Sequence, residues 1–358
     1  MYPHYNLTLM VTHACNMRCS YCYVGRKSPR ILPVVFGRRA IQRALASLEP
    51  GGTLETGFFG GEPLLEATLV QRLIDYAHDR AGVLGALTTF ALTTNGTVTS
   101  PDAWALMRRY DLTVAVSFDG LPELHDRHRR FTAGGPTSAK VMETMQRLQD
   151  AGIEFRVATV VRPDGVTRLA EVLEFLRDMG VRQVELCLDL WARWEAEDAL
   201  NLELAIAEAA RVWREGLPHV GVNWFDDKAA HLCGFETADT VRCGFGRGEI
   251  AVAPSGRLYP CERLIGEDDE SNPTRLPGHV TEGRDFLDIP AAPARGVTAC
   301  STCAGERFCN TFCRCSNYVR TGDVSMPDRL LCLWNQACLR ETASVLRGLR
   351  TPAAVATA

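Results

Sequence analysis

The feature that most constrains the fold is an alternation of short β-branched runs with amphipathic helical stretches that continues to Leu188. Asn6 to Val11, Leu54 to Phe59, Leu87 to Thr94, Leu112 to Phe118, Glu154 to Val161 and Gln183 to Leu188 read as strands. Arg38 to Leu48, Ala67 to Arg80, Pro101 to Arg109, Ser138 to Ala151 and Arg168 to Met179 read as helices. The second of these places Leu69, Val70, Leu73, Ile74 and Ala77 on one face, and the third opens with Ser100 as N-cap and Pro101 in its first turn. Strands this apolar do not suit burial on one side only, so the pattern implies an α/β fold, a parallel sheet covered by helices. A closed eight-stranded barrel takes roughly 250 residues, more than this stretch supplies, so a (β/α)6 partial barrel fits better.

In parallel β/α folds, ligands lie beyond the carboxyl ends of the strands. The cysteine loop Cys15–Cys22 follows the first strand, Gly60 to Pro63 the second and Thr94-Asn95-Gly96 the third, while Ser117 and Asp119-Gly120 end the fourth. Asn-Gly and Asp-Gly also form turns without any ligand, and that reading stays open for the two glycines. Cys15, Cys19 and Cys22 are one ligand short of a closed site, since structural zinc and most iron–sulfur clusters take four protein ligands. A triplet of this kind leaves one coordination position for a reactant.

The chain has 358 residues and a net charge of −4, which speaks against a nucleic-acid polyanion as principal partner. No apolar run reaches membrane-spanning length and no signal core opens the sequence, so a cytoplasmic protein is expected, with no membrane partner. Fourteen cysteines in a reducing compartment read as metal ligands rather than a disulfide framework.

Beyond the sixth strand, Trp191 to Glu215 reads as a helix, with Trp191, Trp194 and Trp213 as packing residues, and Cys187 reads as a core thiol. Pro218 and Gly221 interrupt the pattern, which divides the chain into a core at 1–217, a cysteine-rich region at 218–348 and a disordered tail at 349–358. In the second region, Glu249 to Ala253 and Leu258 to Pro260 flank the turn Pro254-Ser255-Gly256-Arg257, a hairpin between Cys243 and Cys261. Cys300, Cys303, Cys309 and Cys313 then form a CxxCxxxxxCxxxC run. A zinc ribbon is the alternative reading of that run, but the number of cysteines favours iron–sulfur ligation.

The CxxxCxxC triplet, with Tyr21 before its last cysteine and Gly60-Gly61-Glu62-Pro63 after the second strand, resembles the radical S-adenosylmethionine (SAM) enzymes. The resemblance implies a (β/α)6 partial TIM barrel and a [4Fe–4S] cluster on Cys15, Cys19 and Cys22 whose open iron chelates SAM. It also implies SAM contacts from Tyr21, Gly60, Gly61, Glu62, Pro63, Asn95 and Ser117. It continues through Ser117-Phe118-Asp119-Gly120 and His125-Asp126-Arg127-His128-Arg129, where His125 and Arg129 serve only to shape the loop on the simplest reading. The C-terminal pattern, with Cys332 as its last member, resembles the SPASM extension of that family. By that resemblance Cys300, Cys303, Cys309 and Cys332 hold a distal auxiliary [4Fe–4S] cluster, and Cys243, Cys261 and Cys313 a proximal one. Cys233 is the candidate for the fourth proximal ligand, Cys315 competes as a ligand, and Cys338 reads as packing.

The family generates a 5′-deoxyadenosyl radical that abstracts a hydrogen atom, and auxiliary clusters suit an electron sink, so substrate oxidation is expected. Glu262, directly after Cys261, stands where sulfatase-maturing relatives carry a catalytic aspartate; it is a candidate general base, with an ion pair to Arg263 as the alternative. The expected activity is oxidative maturation of a ribosomally made peptide by crosslinking or dehydrogenation. The alternatives are an anaerobic sulfatase-maturating enzyme that makes formylglycine and, from another class, an iron–sulfur electron carrier. Expected partners are a peptide or protein substrate, a flavodoxin- or ferredoxin-type electron donor and a separate leader-binding protein. The acidic loop Gly266 to Glu270 is a solvated loop or a surface for basic leader residues.

Overall fold

The structure is a computed structural model that describes residues 1–235, 243–290, 298–309 and 313–350. The expected tail lies outside the described residues from 351 onward. In chain order the main elements are β1 (Tyr2–Thr12), α1 (Val34–Ala46), β2 (Leu48–Gly60), α2 (Ala67–Leu84), β3 (Leu87–Thr94), α3 (Pro101–Arg109), β4 (Leu112–Ser117), α4 (Pro122–His128) and α5 (Ser138–Asp150). They continue with β5 (Phe155–Val161), α6 (Leu169–Asp178), β6 (Gln183–Leu188), α7 (Ala196–Gly216), β7 (Gly221–Val222), α8 (Asn223–Cys233), β8 (Glu249–Val252), β9 (Leu258–Tyr259), α9 (Thr298–Ser301), α10 (Arg314–Thr321) and α11 (Arg329–Arg350).

Two compact units emerge, and they do not follow chain order: Met1–Phe118, Pro122–Arg156 and Cys243–Pro293 form one, and Asp119–Leu121, Val157–Arg242 and Ala294–Ala358 the other. In the first unit, β1 to β4 pair in parallel, with Leu9 opposite Phe58 and Phe58 opposite Leu92. The period-two alternation puts Leu7, Leu9, Leu54, Phe58 and Leu92 in the core, where Val70, Leu73, Ile74 and Ala77 of α2 are buried with them. α2 stops at Gly85, whose left-handed φ of 65° closes the C-cap, and α3 opens as expected, with Ser100 Oγ accepting from Ala103 N.

The cysteine-rich half enters this unit by strand addition. β8 pairs in parallel with β1, from Asn6 opposite Glu249 to Leu9 opposite Val252, and β9 returns antiparallel to β8. Arg43 of α1, 4% exposed, donates to the carbonyls of His279, Val280 and Asp285 and packs over the Phe286 ring, which fastens residues 279–286 to the same unit. This attachment to β1 is not visible in local sequence, because β8 looks like half of an ordinary hairpin.

In the second unit, β5, β6 and β7 are parallel and α11 packs on α7 and α8. α7 begins later than the periodicity suggests. Asp189 Oδ1 accepts from the amides of Trp191 and Ala192 and its carbonyl accepts from Trp194 Nε1, holding a turn; a capping box of Glu195 and Asp198 then starts the helix. Trp213 is buried against Phe225, as a packing residue should be, but Trp191 is 45% exposed and does not pack as expected. Cys187 is half-buried rather than a core thiol, because it lies on the strand face opposite Val184 and Leu186.

Candidate functional site

Cys15, Cys19 and Cys22 occupy the loop after β1, half-buried, and none of the chain's cysteines is in a disulfide. Thr12 shapes the loop entry by accepting from Ala14 N at 3.1 Å and donating to Arg30 O at 3.3 Å. The thiols face hydrogen-bond donors. Lys27 Nζ lies 2.9 Å from Cys22 Sγ, while Met17 N and Asn95 Nδ2 lie 3.4 and 3.7 Å from Cys15 Sγ. Burial pushes the Cys15 thiol up, and the Met17 amide acts against that shift.

The loop after β2 is laid directly on the cysteine loop. Gly61 N donates to Thr12 O at 2.7 Å and Glu62 N to Ala14 O at 2.8 Å. A Cβ on Gly60 would come within 2.5 Å of Thr12 O, and one on Gly61 within 2.2 Å of Ala14 O. The close approach that requires glycine at these two positions is therefore one loop against the other. Glu62 is fully buried; its Oε1 accepts from Leu64 N at 3.0 Å and Thr94 Oγ1 at 2.8 Å, and its Oε2 from Asn95 N at 2.6 Å. Burial pushes its carboxyl up to about 7, against the pull of these three donors. Pro63 opens the short turn that follows.

Asn95 ties the third strand end into the same group. Its Nδ2 donates to Asn16 Oδ1 at 2.9 Å, and its Oδ1 accepts from Thr97 N at 2.9 Å and Thr97 Oγ1 at 2.6 Å. Gly96 and Gly120 have φ of 72° and 83°, so the turn reading of both dipeptides holds. Ser117 ends β4, half-buried. Tyr21 lies beside His128 and under the Arg129 guanidinium, 5.3 Å from ring centroid to Cζ. His125, fully buried, sits against Phe118 and within 2.9 Å of Thr137 Oγ1.

In the same unit, Cys243 precedes β8 and Cys261 follows β9. Cys243 Sγ donates to Glu249 Oε2 at 3.1 Å, and Cys261 Sγ lies 3.4 Å from Glu262 Oε2. Burial pushes the Glu249 carboxyl up, and Glu262 adds to that shift. Tyr23, which the motif reading passes over, stacks on Phe59 with centroids 6.0 Å apart. Burial raises its hydroxyl pKa well above the ordinary tyrosine value; Glu262 is the next cause, and Cys261 and Cys22 contribute further. Its place directly after Cys22 is the only sequence signal it carries. The acidic loop differs from expectation: Asp268 is 1% exposed and accepts from Arg30, Ser255 and Tyr259, while Glu267 Oε1 accepts from Arg26 N at 3.2 Å. Asp268 thus ties Arg30 to the β8–β9 hairpin, while Glu267, Asp269 and Glu270 stay exposed, as a solvated loop would have them.

In the second unit, Cys300, Cys303, Cys309 and Cys332 act on one another. Burial pushes the Cys332 thiol up, and Cys309, Cys300 and Cys303 add to the shift. Cys313 caps α10 with its Sγ 3.3 Å from that of buried Cys315, and Cys338 is buried in α11, consistent with packing. Cys233 ends α8 in an exposed position. Among the described residues no three His, Cys, Asp or Glu side chains gather tightly enough to hold a single metal ion. A cubane cluster spreads its irons over separate corners, so its thiolates need not converge on one point. Soft thiols facing N–H donors are the donor set that iron–sulfur clusters take, and they fit that group here.

Residues 9–179 match the family model of the Radical SAM superfamily. An uncharacterized protein of Methanocaldococcus jannaschii is 30% identical over 179 residues, covering 50% of this chain and 60% of that protein. A serine-type anaerobic sulfatase-maturating enzyme of Klebsiella aerogenes is 23% identical over 87% of this chain and 80% of its own length. The Bacillus subtilis subtilosin biosynthesis protein AlbA is 25% identical over 71% of this chain and 54% of its own. Among solved structures, native anSMEcpe with bound AdoMet and Cp18Cys peptide shares the fold, with a TM-score of 0.78 at 17% identity over 96% of this chain and 98% of that one.

Proposed function

We propose that this chain is a radical SAM maturase that oxidatively modifies a peptide, crosslinking or dehydrogenating a ribosomally made substrate. The observation that carries this reading is the meeting of three strand ends, where the Cys15–Cys22 loop lies on Gly60–Glu62 and is held by Asn95. A [4Fe–4S] cluster with SAM, bound at such a loop, would supply the one-electron chemistry for hydrogen-atom abstraction. Cys15, Cys19 and Cys22 would hold that cluster. Glu62 keeps its loop and the end of β3 in register through Leu64, Thr94 and Asn95, and Lys27 and Asn95 supply N–H groups to the sulfurs. Tyr21, Gly60, Gly61, Pro63 and Ser117 complete the group taken to face SAM.

Two auxiliary [4Fe–4S] clusters follow from the SPASM pattern. The distal one would use Cys300, Cys303, Cys309 and Cys332, whose mutual interaction supports that grouping. The proximal one would use Cys243, Cys261 and Cys313, with Cys233 as fourth ligand. Glu262 would take a substrate proton, a reading supported by its carboxylate lying beside Cys261. An external one-electron donor and a separate leader-binding protein complete the system. No helix among the described residues is long and apolar enough to cross a membrane, and oxygen-sensitive clusters suit the cytoplasm.

The sulfatase-maturating reading is favoured by Glu262 and by the extent of the Klebsiella alignment. Mass change separates the two: loss of two hydrogens from a peptide encoded beside the gene supports crosslinking or dehydrogenation, whereas an aldehyde in place of a Cys thiol or Ser hydroxyl on a sulfatase peptide supports formylglycine formation. Glu262→Gln should keep SAM cleavage while product formation falls by roughly two to four orders of magnitude. Wild-type turnover by that variant would place the base elsewhere.

A further inference from the structure

Lys228 of α8 is 1% exposed, among the largest fully buried side chains of the protein. Lysine is almost never buried so completely unless something anionic or strongly polar meets it. Its Nζ donates to Phe308 O at 2.7 Å and to Asn335 Oδ1 at 2.8 Å. Phe308 immediately precedes Cys309, and Asn335 lies one turn after Cys332 on α11. Asn335 is itself buried and aimed by its Nδ2 bond to Leu331 O, at 3.1 Å. The ammonium thus joins the two segments that carry the distal ligand set. Among the charges acting on it, Cys309 comes first, followed by Cys338 and Asp227.

Removing a charge from water costs several kcal/mol, so an ammonium is held this deep only among polar or anionic groups. A [4Fe–4S] cluster bound by four thiolates carries two negative charges when oxidised and three when reduced. A cluster held at Cys309 and Cys332 would bring that charge to the two segments the ammonium joins, and would attract it more strongly after an electron arrives. We propose that Lys228 is the buried counter-charge of the distal cluster and raises its reduction potential, which favours loading that cluster with an electron taken from substrate. The proposal rests on the auxiliary-cluster reading above.

The test uses anaerobically reconstituted full-length enzyme and redox titration followed by electron paramagnetic resonance. The distal signal is first identified as the one missing from Cys332→Ala protein; if that variant loses no signal, the cluster assignment itself fails, before Lys228 is examined. Lys228→Met should lower the one-electron reduction equilibrium of the distal cluster at least tenfold, 59 mV per tenfold, and leave the other clusters unmoved. Lys228→Arg should stay within threefold of wild type. A Met variant within threefold of wild type, or equal shifts in Met and Arg, would overturn the proposal. If the Met protein does not retain the distal cluster, retention decides: loss in Met with retention in Arg supports a charge role, and loss in both contradicts it.

Discussion

Lys27 places its ammonium 2.9 Å from Cys22 Sγ, and nothing in its sequence position announces this. A lone lysine after a cysteine motif has no periodicity to read, and its partner is set by the turn at Gly25, which Glu267 confines. That the Cys15–Cys22 loop, Gly60-Gly61 and Asn95 meet was legible because parallel β/α folds bring the loops after successive strands to one end of the sheet. What was hidden is how Gly60, Gly61, Glu62 and Asn95 brace the loops. Hydrogen bonds to charged groups contribute about 1.5–3 kcal/mol, so Lys27→Met should shift the reduction equilibrium of the first cluster downward by roughly tenfold, checked by the same titration. Glu62 makes a separate prediction for apo protein. Its folded pKa of about 7 lies above the ordinary value of 4.5, so its protonated form favours the fold. That contribution is full below about 4.5 and is lost as pH rises through about 7. Subtracting the Glu62→Gln unfolding curve from wild type should show a decline over that window; a flat difference would mean that the carboxyl titrates normally.

The elements themselves were largely legible. Gln183–Leu188, Leu87–Thr94 and Pro101–Arg109 stand where periodicity and capping put them, because each has a clear period and a clear stop. β1 and β2 run longer than their apolar runs, since main-chain pairing continues through Tyr2 and Leu48 once the neighbouring strand is present. The short α4 lacked enough turns to show a period, and α8 fell where Pro218 and Gly221 suggested a boundary. Leu73 is fully buried on α2, so Leu73→Ala should destabilise by about 2–5 kcal/mol in denaturant titration. Arg43→Met should loosen residues 279–286 specifically, seen as faster amide hydrogen exchange there than in β2 and β3.

Across the whole molecule, linear order and spatial grouping diverge at the cysteine-rich half. Residues 243–290 fold with β1, whereas the CxxC run belongs with α8 and α11. Local sequence cannot show this, because the attachment is made by Asn6–Leu9 pairing, Arg43 and the burial of Asp268, each more than two hundred residues from its partner. If three clusters are present, anaerobic protein should hold roughly twelve irons and twelve sulfides per chain, and stoichiometric zinc with little iron would remove the auxiliary-cluster reading. Radical SAM chemistry at the Cys15–Cys22 loop is read from the release of 5′-deoxyadenosine. Reconstituted wild-type protein given dithionite and SAM should release the nucleoside, and the Cys15→Ala, Cys19→Ala, Cys22→Ala triple variant should release none. Equal yields from the two proteins would show that the Cys15–Cys22 loop does not carry this chemistry.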